Sequence, residues 1–296
     1  MKNFKLHPTN FIPLLAIPAS WLLPSVGKFL SPYTTWILAG LLLSSFLGVK
    51  VKEMLSVIEH PMRSVWTVFM ILFAGPILIL PIANLLFPEY KVGALLFMML
   101  PAAVSSPAVA AIYGGNVAIA TVDAVLSNLL STLSIPLLFG LFVQGSMQVE
   151  GASILWQMVY VVIIPFLVGT GINHFFPKQV KRIHRHSRML NLFLLFLLFY
   201  AAFAPYVHEM IDSLRNLHLI MALIMTHAIL HLLAKVAAWH SKHEDQRIGI
   251  LCNMVLPNVG LGIVLAQHYL GMNEMIFILL SEVVWVLVVG FIHYLK

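Results

Sequence analysis

Stretches of about twenty nearly unbroken apolar residues succeed one another along this chain, each long enough to cross a bilayer as a helix. Short polar loops separate them. That pattern leaves few folds open, because a soluble domain has to cover its core with polar surface. Here 60% of residues are hydrophobic and 9% charged, against about 25% charged in ordinary soluble domains. A soluble enzyme, a coiled coil and a disordered chain are all excluded. A membrane β-barrel is excluded too, since the apolar runs are continuous rather than alternating. The formal charge of +6 belongs to loops facing a cytoplasmic surface and not to nucleic-acid binding.

The runs predict ten helices, at roughly 11–30, 33–49, 65–87, 91–112, 116–143, 152–176, 189–208, 217–239, 247–270 and 274–295. The first of them reads as a membrane helix and not a cleaved leader, because Pro13, Pro18 and Pro24 interrupt it and it lacks a small-residue cleavage site. Lys and Arg then set the orientation. Lys2, Lys5, Lys50, Lys52, Arg63, Lys178, Lys181, Arg182, Arg185, Arg188, Lys235, Lys242, Arg247 and Lys296 fall on one side, and only Lys28, Lys91 and Arg215 on the other. Both termini are therefore expected in the cytoplasm, in a plasma or inner membrane.

Ten helices divide into two sets of five, and an odd unit inserts with opposite topology the second time. A weak internal match supports such an inverted repeat. Met98-Met99-Leu100-Pro101 lies in the fourth helix and Met254-Val255-Leu256-Pro257 in the ninth, with Tyr113 and Tyr269 equally spaced beyond. A register pairing Pro107 with Pro257 competes with it. The same two helices carry the densest helix-breaking residues: Pro101, Ser105, Ser106 and Pro107 in one, and Asn253, Pro257, Asn258, Gly260 and Gly262 in the other. Proline removes a backbone donor, and broken backbone persists at membrane depth only inside protein or along a cavity. The expected fold is thus an all-α integral membrane protein whose helices 4 and 9 unwind near Ser105–Pro107 and Asn253–Pro257 and cross there.

The stretch from Pro101 through Ala118, continuing to Leu126-Ser127-Asn128-Leu129 and Pro136, resembles the fourth and fifth helices of the bile acid:sodium symporter (BASS) family. Asn258 to Ala266 and Glu282-Val283-Val284-Trp285 resemble its ninth and tenth. The resemblance implies a single transporter unit over 1–296. Its core domain would span about 65–143 and 217–295, and its panel about 11–49 and 152–208. It implies secondary transport of a small organic anion or amphipathic solute by alternating access. The wider superfamily includes auxin-efflux and arsenite carriers; Cys252, the only thiol, disfavours arsenite. An intramembrane enzyme lacks a nucleophile–base or metal motif, and a channel does not need the paired broken helices.

The departures from that family bear on coupling. Its sodium-binding members resemble one another in a Ser-Asn pair at the first crossing and a Glu with Gln-Asn at the second. Here those positions hold Ser106-Pro107, Asn253 and Pro257-Asn258, and two hydroxyl positions of helix 5 fall on Ala120 and Ala124. The inherited sodium site is therefore expected to be degraded or absent, leaving a proton, no ion, or sodium on a relocated ligand such as Asp123 as the coupling alternatives. No cofactor and no resident metal are expected. Asp123 is the leading proton candidate, on a helix 5 face shared with Asn116, Ser127, Ser131 and Ser134. A carboxylate in a membrane helix faces the protein interior and can take up a proton there. Glu282 in helix 10 is a second candidate, and His227 on helix 8 a third, one turn before His231. Substrate identity, transport direction and oligomeric state are not encoded legibly.

Overall fold

The structure, a computed structural model, describes residues 12–49, 61–143 and 150–288, all helix, turn or short extended link, with no strand among them. The chain begins with α1 (Ile12–Leu22) and α2 (Pro24–Leu30). They part at Leu23, whose ψ of 58° is not helical and which precedes a proline. A single 3-10 turn then leads into α3 (Thr34–Phe46). The expected helix over 11–30 is thus two pieces, and Pro24–Phe46 together form one apolar span.

Next come α4 (Pro61–Phe69) and α5 (Gly75–Leu86), joined without a gap by a wide π-type turn, Met70–Ala74. A second π-type turn, Val159–Ile163, joins α9 (Gly151–Met158) to α10 (Ile164–Phe175). In both places a proline, Pro76 or Pro165, sits in the first turn of the second helix. Its ring would press on the carbonyl four residues back, and the wider turn makes room.

The expected helix 4 is α6 (Lys91–Met99) and α7 (Ser106–Ile112), with α8 (Val117–Phe142) after it. The turn between α7 and α8 is fixed locally. Gly114, with φ 78°, lies just past the end of α7. Gly115 N donates to Ala110 O at 2.7 Å and Gly114 N to Ala111 O at 3.3 Å, which together close the end of the helix. Asn116 then caps α8, its side-chain oxygen accepting from Ile119 N at 3.1 Å.

Beyond α10 the chain continues in α11 (Pro177–Phe203), α12 (Val207–Ser213), α13 (Leu217–Ala238), α14 (Glu244–Val255), α15 (Val259–Tyr269) and α16 (Met272–Val288). The basic stretch 178–188, expected as a loop, is the first three turns of α11. The membrane part of α11 is bent by 73° from α12. By length and composition five helical stretches can cross a membrane, six with that bent pair. Lys2, Lys5, Lys50, Lys52, Lys296 and the two termini lie outside the described residues.

The helices pack in two groups, joined where α9 meets α8. α11 lies against α1, α2 and α3, and α10 against α3. α13 pairs with α14, α5 with α6, and α16 with α6 and α15, while α8 packs against α7, α9 and α14. Close approach needs small residues where helices meet in lipid. At Gly93 of α6 a Cβ would lie 2.9 Å from the Phe277 Cβ of α16. α15 also touches α3 and α11, so one half of the second broken helix borders the other set.

Candidate functional site

Six residues, Leu100 to Ser105, separate α6 from α7, and three, Leu256 to Asn258, separate α14 from α15. The two extended links meet. Ala103 N donates to Leu256 O at 2.6 Å and Asn258 N to Pro101 O at 2.7 Å, an isolated antiparallel bridge between Ala102 and Pro257. Backbone groups that proline and the helix breaks leave unpaired thus satisfy each other deep in the protein. The expected crossing is present, shifted slightly from where the sequence put it. Pro101 and not Pro107 starts the first break, and Ser106 and Pro107 open α7, where a proline costs little. Asn253 lies within the last turn of α14, ahead of the second break. Met99 and Val255, matched in the Met-Leu-Pro alignment, both end their half-helices.

Amide and hydroxyl side chains hold the crossing to α8. Ser127 Oγ accepts from Ala102 N at 3.2 Å. Asn128 Nδ2 donates to Ala102 O at 2.8 Å, and its Oδ1 accepts from Asn258 Nδ2 at 3.1 Å. The Asn258 Oδ1 also caps α15 by accepting from Leu261 N at 3.2 Å. On the other flank Ser106 Oγ donates to Asn253 Oδ1. Asn253 Nδ2 donates to Ala120 O at 3.0 Å. Ser106, Ser127, Asn128, Asn253 and Asn258 are all buried. Such a network stabilises only when each member is paired, and here each is.

The same bonds test the sodium site that the family resemblance implies. A carboxylate at position 253 would turn an oxygen toward the Ala120 carbonyl and call for a cation between them. An amide donates there instead. Ala120 and Ala124 bring no hydroxyl, and the Oδ1 atoms of Asn253 and Asn258 already accept hydrogen bonds. The crossing thus lacks the carboxylate and the two hydroxyls that the resemblance would bring to a sodium site.

Two contiguous cavities border the crossing. One, about 410 Å³, lies between Ser44, Ser45 and Val49 on one side and Val104, Pro107, Ala124 and Asn128 on the other. The second, about 630 Å³, is bounded by Leu41, Leu195 and Phe199 opposite Ser105, Pro257, Asn258 and Glu282. Both fall in the size range of small-molecule sites. Asn191 of α11 lines both, with its Nδ2 donating to Ser45 Oγ at 3.3 Å. Asn191 and Ser45 were not among the residues expected from the sequence. The one signal was a lone amide in the apolar run Met189-Leu-Asn-Leu-Phe193.

The remaining candidates separate. Glu282 lines the larger cavity. Asp123 lines neither; it faces Arg63 and Ser64 of α4 from a fully buried position. The Ser64 hydroxyl is near it, but neither Asp123 oxygen is in a well-formed hydrogen bond among the described residues. Its helix face is shared as expected with Ser127, Ser131 and Ser134, all buried, yet Asn116 caps the helix instead of joining that face. His227 is also away from both cavities. Its Nδ1 meets Leu223 O at 2.9 Å, its ring centroid lies 4.9 Å from that of Phe97, and Nε2, near the Ser281 backbone, makes no well-formed hydrogen bond among the described residues.

No curated protein matches the chain. A sequence model of the SBF-like CPA transporter family matches residues 11–288. That match takes in every described helix, and it agrees with crossed broken helices beside a cavity: the chain belongs to the SBF-like CPA transporter family, of the bile acid:sodium symporter type.

Proposed function

We propose that the protein is an alternating-access carrier of a small amphipathic solute, working without sodium. The observation that carries this reading is the crossing itself, with a two-lobed cavity between it and the helices α3 and α11. Exposed backbone and half-helix ends at such a crossing are where secondary carriers hold their cargo. In this reading the protein has ten membrane helices in two inverted repeats. α4–α8 with α13–α16 form a core, and α1–α3 with α9–α11 a panel that rocks against it. The family type makes the cargo an organic anion, yet no described lining residue of either cavity is basic.

Sodium independence is supported by the closed amide network around Asn253. A proton is the favoured coupling ion because Asp123 is a fully buried carboxylate with neither oxygen in a well-formed hydrogen bond, its one described counter-charge being Arg63 of α4, which favours the ionised form and opposes the effect of burial. That state is costly inside a membrane unless the group is used or neutralised. The test is uptake into proteoliposomes with sodium and proton gradients imposed separately, for wild type and Asp123→Asn. Uptake that survives replacement of sodium by choline, with its pH dependence flattened in Asp123→Asn, is the expected result. Uptake abolished by choline would restore a sodium symporter. Unchanged pH dependence in Asp123→Asn would remove Asp123 from the coupling.

A further inference from the structure

Glu282 is the only charged residue among the described lining residues of the larger cavity. It is 5% exposed. Among the described residues none gives it a hydrogen bond or an ion pair, and none is a charge acting on it. An ionised carboxylate placed so in a membrane is expensive without a counter-charge. The described residues of the cavity wall supply none. Leu41, Val104, Leu192, Leu195 and Phe199 make most of it apolar. His227, across the α13 packing, is tied to Leu223 O and lies outside the cavity.

The other polar groups point the same way. Trp285 lies three residues beyond Glu282, on the same face of α16, and lines the cavity with it. An indole face beside a carboxylate suits a cation. Asn191 gives its amide donor to Ser45, and its Oδ1 has no partner. The N-terminus of α15, which could draw an anion, has Asn258 Oδ1 across its first turn. One donor, Trp285 Nε1, is also unpartnered. The free groups are a carboxylate, an amide oxygen, an indole with its N–H and the Ser105 hydroxyl; the one formal charge among them is negative and calls for a cation.

We infer that the cavity selects a solute with a compact apolar body and one ammonium-type cation, and that Glu282 pairs with that cation. The inference rests on the carrier reading and replaces the organic anion with an organic cation. Pairing offsets part of the cost of burying each charge, so the loaded site can pass through the membrane interior without net charge.

The experiment is calorimetric titration of the purified protein in nanodiscs with three probes of one shape: adamantyltrimethylammonium, adamantane carboxylate and adamantanemethanol. Wild type, Glu282→Gln, Glu282→Asp and Leu195→Trp are compared, with thermal unfolding as the check on folding. Wild type should bind the ammonium roughly ten- to a hundredfold more tightly than the alcohol, the worth of one charge-assisted contact. Glu282→Gln should lose that preference while still binding the alcohol, and Glu282→Asp should keep part of it. Equal binding of all three probes to wild type, or an undiminished ammonium preference in Glu282→Gln, overturns the inference. If that equal binding is also lost in Leu195→Trp, the cavity remains a solute site and only the charge assignment falls. Absence of ammonium binding to wild type overturns the inference too, and proteoliposome uptake then decides the carrier reading separately.

Discussion

At position 253 an amide stands where the resembling sodium carriers have a carboxylate, and exchanging that one group rewrites the hydrogen bonding around it. Nδ2 donates to Ala120 O at 3.0 Å, and Oδ1 takes the Ser106 hydroxyl. Asn253→Asp keeps the shape and deletes the donor. Two oxygens then face each other in a dry site, so the variant should lose about 1–3 kcal/mol, the cost of a buried polar group left unmatched. A cation between those oxygens would relieve the repulsion. The melting temperature of Asn253→Asp in detergent should therefore be lower than that of wild type and should rise with sodium, while wild type stays indifferent. An equal sodium response in both would show that the amide site already binds the ion. Asn258→Ala removes a helix cap and a link to Asn128 at once. Its expected cost is about 1–2 kcal/mol, the range for loss of a cap, read from the same melts.

Among the elements, the broken helices are held by chemistry that differs between their two ends. The crossing is held by tertiary partners, whereas the end of α7 is held by its own sequence. Gly114 has φ 78°, and nothing lies within 4 Å of where its Cβ would stand. Gly114→Ala therefore meets no clash, only the left-handed backbone penalty of about 1–2 kcal/mol. The turn leads directly to Asn116, whose backbone N donates to Asp245 O at 2.8 Å. Its Nδ2 reaches Asp245 Oδ2 at 3.1 Å. Strain there should loosen the contact between the starts of α8 and α14. Faster amide exchange over 116–120 and 245–249 in Gly114→Ala, with the crossing near Ala102 still protected, is the expected pattern. Equal loss of protection at both places would mean that the turn and the crossing form one cooperative unit.

The whole molecule is oriented in its membrane by the charges at its helix ends. Arg63, Lys178, Lys181, Arg182, Lys242 and Arg247 should share the cytoplasmic side, opposite Lys28, Lys91 and Arg215. In a Cys252→Ala background, a membrane-impermeant thiol reagent added to intact cells should label Lys91→Cys and Arg215→Cys and spare Lys242→Cys. Labelling of Lys242→Cys alone would invert the protein.

Much of this protein is legible in the chain. Apolar run length gives membrane helices, because the bilayer fixes how long a span must be. Proline and glycine give the two broken helices, because backbone chemistry is local. Even the capping of α8 by Asn116 is a matter of residue type. Which groups face each other across elements is not legible in the same way. Asp123 and Ser127 are one turn apart on the same helix, yet one meets α4 and the other meets the crossing. Asn191 carried no motif and still lines both cavities, because its place depends on how α11 lies against α3. Glu282 read as the second of two carboxylate candidates until packing put it on a cavity wall without a partner among the described residues. That the expected helices 4 and 9 break follows from forces acting within about one turn, so the sequence alone shows it. The exact ends, such as the parting at Leu23 and the helical 178–188, do not follow from it. The partners of buried polar groups are set by contacts between residues far apart in the chain, and only the tertiary structure decides those.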